Sequence, residues 1–352
     1  MTGPVLITGA TGGLGQATAR AVAREGHPLL LVVRDLDRGE AFARTLREST
    51  PGIAVSVCRA DLADLSSVRA LVDGLIREEV VPRAVVCNAG LQVVDGIQWS
   101  PDGYELTMAT NVLGHVALLA PILEHMGPGS RVVTIGSETH RGGAKAFGFP
   151  AARWTDMTAL LRPPPGTPSH QAAGRVRYST SKLACIALAF EIDARWRGRG
   201  VRAAAFDPGL MPETGLAREY PPAIRSAYAA LTPLLVRLPG ARRVTDSAVD
   251  LAWLATAEEA EPLMGRYVSE RRARDSSAAS HRAGLGAAIW DGCLAAAGVE
   301  PRGAGRAGPP GRGCPDGRRA VPPRCRVLLP WEEDAARHLS STGRCWAPTP
   351  SP

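Results

Sequence analysis

Val5-Leu6-Ile7-Thr8-Gly9-Ala10-Thr11-Gly12-Gly13-Leu14-Gly15 is the stretch that decides the fold. A short apolar run, the mark of a buried strand, breaks into a Gly-rich turn. A helix-forming segment, Leu14–Glu25, follows directly. Glycines at such a turn allow a sharp reversal and the close approach of a pyrophosphate. The helix N-terminus behind them offers unpaired N–H groups and a positive dipole end. Any tight strand–helix turn could use the same glycines. The strand before, the helix after and the place at the head of an alternating chain make dinucleotide binding the reading, with Thr8, Gly9, Gly13, Leu14 and Gly15 as candidate cofactor-binding residues.

The alternation continues outward from this turn. Apolar runs at Val5–Thr8, Leu29–Val33, Ala54–Cys58, Ala84–Cys87 and Arg131–Ile135 alternate with helical patterns at Leu14–Glu25, Arg38–Glu48, Leu65–Glu78 and Tyr104–His125. Strands that are apolar throughout, with helices between them, predict a parallel sheet covered on both faces. The fold class is therefore α/β, a single doubly wound Rossmann-type domain over residues 1–298. Beyond Ile135 lie a long Pro-, Gly- and Arg-rich connection from Glu138 to Arg177, a helix from Arg177 to Arg197, and a strand at Val201–Phe206. Helices at Ile224–Leu238 and Asp246–Ala257 and a last strand at Gly265–Val268 complete the domain. Residues 299–352 form a Pro/Gly/Arg-rich tail without a periodic apolar face, too poor in buriable surface to offset its ordering entropy.

The formal net charge of +7 suggests nucleic acid only until it is divided along the chain. Residues 301–352 hold nine arginines against Asp316, Glu332, Glu333 and Asp334, so most of the excess lies in the tail and the body is nearly neutral. Nucleic-acid binding is accordingly not the reading. The seven cysteines show no metal-ligand spacing, and no metal site is assigned. No uninterrupted apolar run approaches the roughly 18 residues needed to span a bilayer, and no signal sequence is evident at the start, so the expected location is cytoplasmic.

Lysine is almost absent: Lys145 and Lys182 stand against 39 arginines. Where arginine replaces lysine this thoroughly, a remaining lysine is a candidate for chemistry that a bulky guanidinium cannot perform. Lys182 lies four residues after Tyr178, on the same face of a predicted helix. A phenol titrates near about 10, and a neighbouring ammonium favours its ionised form, making it a usable acid or base near neutrality. Arg34 ends the second strand, with Asp35 and Arg38 beside it. An acidic residue at that end would hold the ribose hydroxyls of NAD, whereas an arginine pairs with the 2′-phosphate of NADP, so the expected cofactor is NADP(H).

Several further motifs stand in order: Asp61-Leu62, Asn88-Ala89-Gly90, Asn111-Val112-Leu113-Gly114-His115, Gly136-Ser137, Tyr178-x-x-x-Lys182 and Pro208-Gly209. With the Gly-rich turn, they give residues 3–298 a pattern that resembles the short-chain dehydrogenase/reductase superfamily. The 41 residues separating Ser137 from Tyr178, and the stretch Pro208–Glu219, resemble its retinol dehydrogenase-like and protochlorophyllide reductase-like subset. The resemblance implies that Asp61 and Leu62 lie at the adenine and that Asn88, Ala89 and Gly90 border the cofactor. It further implies that Pro208 and Gly209 lie at the cofactor and that Lys182 binds the nicotinamide ribose. As catalytic residues it implies Asn111 anchoring a proton relay, Ser137 bonding the substrate carbonyl, and Tyr178 transferring the proton. It also admits a homodimer or homotetramer through the helix carrying Tyr178. Two positions depart from relatives: Leu210 stands where protochlorophyllide reductases have cysteine, which argues against tetrapyrrole photoreduction, and Cys185 stands where many relatives have asparagine.

The expected function is NADP(H)-dependent hydride transfer between the nicotinamide and a carbonyl or alcohol of a lipophilic small molecule. Apolar residues at helical spacing between Pro221 and Pro239 fit either a hydrophobic lid or a core-packed helix. The competing readings are a non-catalytic NADP-binding regulator on the same fold, a double-bond reductase, and a nucleotide-sugar epimerase. The last needs a larger C-terminal substrate domain than residues 299–352 offer.

Overall fold

The computed structural model describes residues 3–146, 148–211 and 240–299. The helix and lid expected at 221–239, the motif at 212–219 and the tail from residue 300 lie outside them. Strands β1 (Val5–Thr8), β2 (Leu29–Val33), β3 (Val55–Arg59), β4 (Ala84–Cys87), β5 (Arg131–Ile135), β6 (Arg202–Phe206), β7 (Tyr267–Ser269) and β8 (Arg272–Arg274) form one sheet in the order β3-β2-β1-β4-β5-β6-β7-β8. All neighbouring pairs are parallel except β7 and β8, a short antiparallel hairpin at the edge that the expectation of a parallel sheet did not include.

Alternation along each strand divides the core in two. Val5, Ile7, Leu29, Leu31 and Val33 point to the face covered by α1 (Gly13–Arg24), α2 (Leu36–Ser49) and a later helix, Val244–Thr256. Leu6, Leu30 and Val32 point to the face covered by α3 (Leu65–Arg77), α4 (Leu106–Leu123), α6 (Gln171–Trp196) and α8 (Leu285–Ala297). Between α4 and α6 lies the short α5 (Met157–Leu161), so Val244–Thr256 is α7. Every residue of β1, β2, β4 and β5 is buried, as a strand covered on both faces requires.

Three departures from the sequence reading have physical causes. Helix α6 begins at Gln171, six residues before the expected Arg177, because its first turns pack on the loop after β4. Gly174 lies so close to the carbonyls of Val93 and Val94 that a Cβ there would collide with them. Helix α4 is apolar and long enough by composition to cross a membrane, yet most of it is buried within the domain, and it carries a π-helical turn at Ala109–Leu113. Helix α8 packs on α4 and α6, with the rings of Trp290 and Trp196 5.0 Å apart. It covers the outer face of the helix carrying Tyr178, so any assembly of copies through that face meets α8 first.

Candidate active site

In this strand order the connections from β1 and β4 leave the sheet in opposite directions, which opens a crevice at the strand C-termini. A cavity of about 980 Å³ fills it. One end is built mainly from backbone. Gly9 (φ +67°) and Gly13 (φ +50°) adopt left-handed conformations that suit glycine, and a Cβ on Gly9 would lie 3.0 Å from the Cα of Ala89. Asn88 lines the cavity and also braces the turn, its Nδ2 donating to the carbonyls of Thr8 (2.8 Å) and Gly9 (3.3 Å). Thr8 Oγ1 accepts from the amide of Ala89 at 2.9 Å, which locks the two loops side by side.

Thr8, Gly9, Gly13, Leu14, Asn88, Ala89 and Gly90 all face the cavity. Gly15 does not. Its missing side chain instead lets α1 seat against Asn88 and Gly9, where a Cβ would collide. Asp61 and Leu62 line the wall farther out, the Asp61 carboxylate accepting from the amide of Ala63 at 3.0 Å. Arg34, Asp35 and Arg38 line the end beyond β2. The Asp35 carboxylate caps α2 by accepting from the amide of Arg38 at 3.0 Å, while the Arg38 guanidinium reaches the carbonyl of Thr11 at 3.4 Å.

At the other end, β5 delivers Ser137 and α6 delivers Tyr178 and Lys182 to one wall. Ser137 Oγ accepts from the amide of Thr139 at 3.3 Å. The Ser137 carbonyl accepts from His140 Nδ1 at 2.6 Å, and His140 Nε2 accepts from the amide of Ser277 at 2.9 Å. Burial lowers the pKa of His140, in keeping with this neutral ring. Lys182 is buried, its Nζ donating to the carbonyl of Ile135 at 3.1 Å and lying 5.5 Å from the centre of the Tyr178 ring. Phe149, from the long connection, inclines toward Tyr178 with ring centres 6.0 Å apart and lines the same cavity.

Asn111 stands behind this wall, not in it. A Cβ on Gly90 would lie 3.2 Å from its Oδ1 and 3.8 Å from Lys182 Nζ. Asn111 Oδ1 accepts from the amide of Leu91 at 2.8 Å. Its Nδ2 donates to the Leu91 carbonyl at 3.0 Å and to Ser181 Oγ at 2.9 Å. Ser181 Oγ donates to the carbonyl of Tyr178 at 2.7 Å, so Asn111 joins the loop after β4 to the helix carrying Tyr178 and Lys182. Cys185 is buried beside it, its Sγ 3.4 Å from the Asn111 carbonyl, and burial pushes its thiol pKa up. That describes a small core residue, not a nucleophile.

The site also holds residues that the motifs did not name. Pro208 and Gly209 line the cavity, and so does the residue before them, Asp207. Its Oδ1 accepts from the amide of Gly209 at 3.0 Å, and burial pushes its carboxyl up to about 6, with the nearby Glu138 adding to the rise. Tyr267 donates its phenol proton to Glu138 Oε1 at 3.2 Å beneath the turn. An acid on each of two cofactor-facing turns was the available signal. Three arginines at the cavity rim are paired: Arg141 with Glu138 (3.1 Å), Arg242 with Asp250 (2.8 Å) and Arg274 with Glu270 (2.5 Å). Next to Tyr178, Arg177 pairs with the fully buried Glu105 at 3.5 Å and bonds the carbonyls of Pro168 and Gly96, fastening the long connection to α6.

Known proteins resemble this chain in sequence and fold. The sequence pattern of the family described as short chain dehydrogenase matches residues 4–152. Human retinol dehydrogenase 12 is 31% identical over 270 residues, covering 76% of this chain and 77% of its own. The chain belongs to the short-chain dehydrogenase/reductase family. A Streptomyces sp. (strain C5) member, DnrU, provisionally assigned as a daunorubicin C-13 ketoreductase, is 34% identical over 304 residues, covering 85% of this chain and 93% of its own. A crystal structure of an uncharacterised protein from Mycobacterium paratuberculosis superposes with a TM-score of 0.58 at 28% identity, covering 84% and 94% of the two chains. As a member of this family the protein is an oxidoreductase that works with a nicotinamide cofactor, and the cavity-facing turn, with Gly9 and Gly13 in left-handed conformations, fits such a dinucleotide.

Proposed function

We propose that the protein is an NADP(H)-dependent oxidoreductase interconverting a carbonyl and an alcohol on a lipophilic small molecule. The observation that carries this reading is the convergence of Ser137, Tyr178 and Lys182 on one wall of the cavity that the glycine cradle opens into. The bound nicotinamide supplies or accepts the hydride. Ser137 Oγ, held by the short turn after β5, hydrogen-bonds the substrate oxygen and polarises its carbonyl. The Tyr178 hydroxyl gives that oxygen its proton in reduction and removes it in oxidation. Lys182, anchored on the Ile135 carbonyl, places its ammonium beside Tyr178 and would hydrogen-bond the ribose of a bound cofactor. Asn111 fixes the separation of the two loops that present these groups.

For the cofactor, Arg34 and Arg38 face the far end of the cavity, while the acidic side chain between them, Asp35, is engaged in capping α2. That balance favours a 2′-phosphate over bare ribose hydroxyls. For the substrate, Leu91, Val94, Phe149, Leu210 and Met211 give the catalytic end apolar walls. The names of retinol dehydrogenase 12 and of DnrU, provisionally a daunorubicin C-13 ketoreductase, support the same reading. A cytoplasmic location goes with this reading, and Cys58, Cys87, Cys185 and Cys293 are free thiols. Paired titrations with NADPH and NADH, followed by turnover of a panel of lipophilic ketones and aldehydes, test it. Tighter NADH binding overturns the cofactor assignment, and NADPH binding with no turnover on any carbonyl or alcohol favours the non-catalytic alternative.

A further inference from the structure

His115 takes no part in the chemistry described above, yet it sits between the two anchors of the cofactor loop. It lies on α4, one turn after Asn111, with 2% of its surface exposed. Its Nδ1 is 3.0 Å from the carbonyl oxygen of Asn111, and its Nε2 is 3.0 Å from Thr8 Oγ1. A carbonyl can only accept, so Nδ1 carries the proton and Nε2 keeps a lone pair. The Thr8 hydroxyl therefore donates to Nε2; the Val86 carbonyl that competes for its proton is farther away, at 3.3 Å. Burial pushes the imidazole down to about 4, and the charge of Lys182 acts in the same direction.

These bonds complete a ring. Thr8 Oγ1 receives the amide of Ala89, and Asn111 holds both the amide and the carbonyl of Leu91. The cofactor-facing loop Asn88–Leu91 is thus pinned at two points, and His115 is the side chain that joins the pins. The π-helical turn at Ala109–Leu113 shifts the helical register at Asn111, and such turns concentrate at functional sites. A histidine serving only as core filling would need neither polar partner, whereas both ring nitrogens here are matched to groups already holding the loop.

We infer that His115 is a positioning residue: a neutral imidazole, protonated on Nδ1, that couples the end of β1 to Asn111 and so sets the spacing between the nucleotide turn and the Tyr178–Lys182 helix. This inference rests on the reading of those residues as the reacting groups, so its first test does not involve turnover. In ¹⁵N-histidine-labelled full-length protein, the resonances lost in His115→Ala identify the ring. They should show a protonated Nδ1 and a bare Nε2 at pH 7, unchanged between pH 8 and pH 5.5. The opposite tautomer, or a ring that titrates within that range, overturns the inference; if His115→Ala does not fold, the resonances lost in His115→Asn identify the ring instead.

The second test reads function. His115→Ala removes one hydrogen-bond partner from each of two buried groups, the Thr8 hydroxyl and the Asn111 carbonyl, and NADPH affinity and kcat should each fall by about tenfold. His115→Asn places an amide nitrogen near the position of Nδ1. It should recover kcat, through Asn111, more than NADPH affinity, which depends on Thr8. Unchanged NADPH affinity and kcat in a folded His115→Ala enzyme, with only its Tm lowered, would reduce His115 to a structural histidine and overturn the inference.

Discussion

The two ends of the cavity are made in different ways. The nucleotide end is backbone: left-handed glycines, strand termini and amides, with side chains such as Asn88 acting mainly as braces. The catalytic end is side chain: Ser137, Tyr178, Lys182 and Asp207 come from segments far apart in sequence and are aimed by buried polar contacts. At Gly9 and Gly15 the first leaves little or no room for an added Cβ. The second depends on particular atoms being present. Enlarging residues should therefore damage the nucleotide end, and trimming them should damage the catalytic end.

The largest effect expected from this contrast is that of Tyr178→Phe. It removes one oxygen from the catalytic end and should lower kcat by about 10²–10⁴-fold or more, while NADPH affinity stays within about threefold. Steady-state kinetics with a substrate from the carbonyl panel, and fluorescence titration with NADPH, measure the two. A variant that loses both together breaks the division into halves. Trp290→Ala acts on the support of the catalytic helix and should destabilise the fold by about 3–5 kcal/mol, read by chemical denaturation. The molecules that remain folded should still bind NADPH.

Asp207 provides a test in pH. Its carboxyl is raised from the ordinary 3.8 to about 6, so the folded chain retains a proton that the unfolded chain has already released. The resulting stabilisation is complete below pH 3.8 and lost as pH rises through 6, a swing of about 3 kcal/mol for a shift of about two units. His115 acts in the opposite sense: its stabilisation is present above pH 6.5 and lost as pH falls through about 4. In Asp207→Asn only the second remains. The stability of that variant relative to the wild type should drop by about 2 kcal/mol between pH 7 and pH 4, and parallel slopes in denaturation at several pH values would remove Asp207 from the account.

Two smaller effects belong to the nucleotide end. Arg34→Ala should weaken NADPH by about 1.5–3 kcal/mol, the value of hydrogen bonds to a charged group, and leave NADH nearly unchanged. Calorimetry with both cofactors checks it, and an equal loss for both would move Arg34 away from the 2′-phosphate. Gly15→Ala should cost about 1–3 kcal/mol of stability, because a single methyl meets Asn88 and the Gly9 carbonyl. A thermal melt that does not move would show that α1 can yield, contrary to the rigid cradle described here.

The same contrast explains what could be read in the sequence. Strands β1, β2, β4 and β5 fall at their expected bounds because each is a local apolar run bounded by turn residues. The cradle was legible because glycine at a strand–helix turn has a local steric cause. Tyr178 and Lys182 were legible from their spacing and the scarcity of lysine. Nothing local marks Asp207, Tyr267 or Glu138 as neighbours, since a fold is needed to bring residues 129 apart to 3.2 Å. Nor did periodicity distinguish Gly15, which packs, from Gly13, which faces the cavity. The early start of α6 and the addition of α8 are set by tertiary contacts that propensity does not contain.

Helix α8 also bears on the order in which the molecule can be made. Strands β3, β2, β1 and β4 come from the first quarter of the chain and are adjacent in the sheet, so this part can pair while later residues are still being added at the ribosome. The outer face of α6 has no such early partner. It waits for Leu285–Ala297, which emerge more than a hundred residues after Tyr178. During synthesis the nascent chain therefore passes through an interval in which the glycine-rich turn can be in place before the helix that carries Tyr178 and Lys182 has been covered.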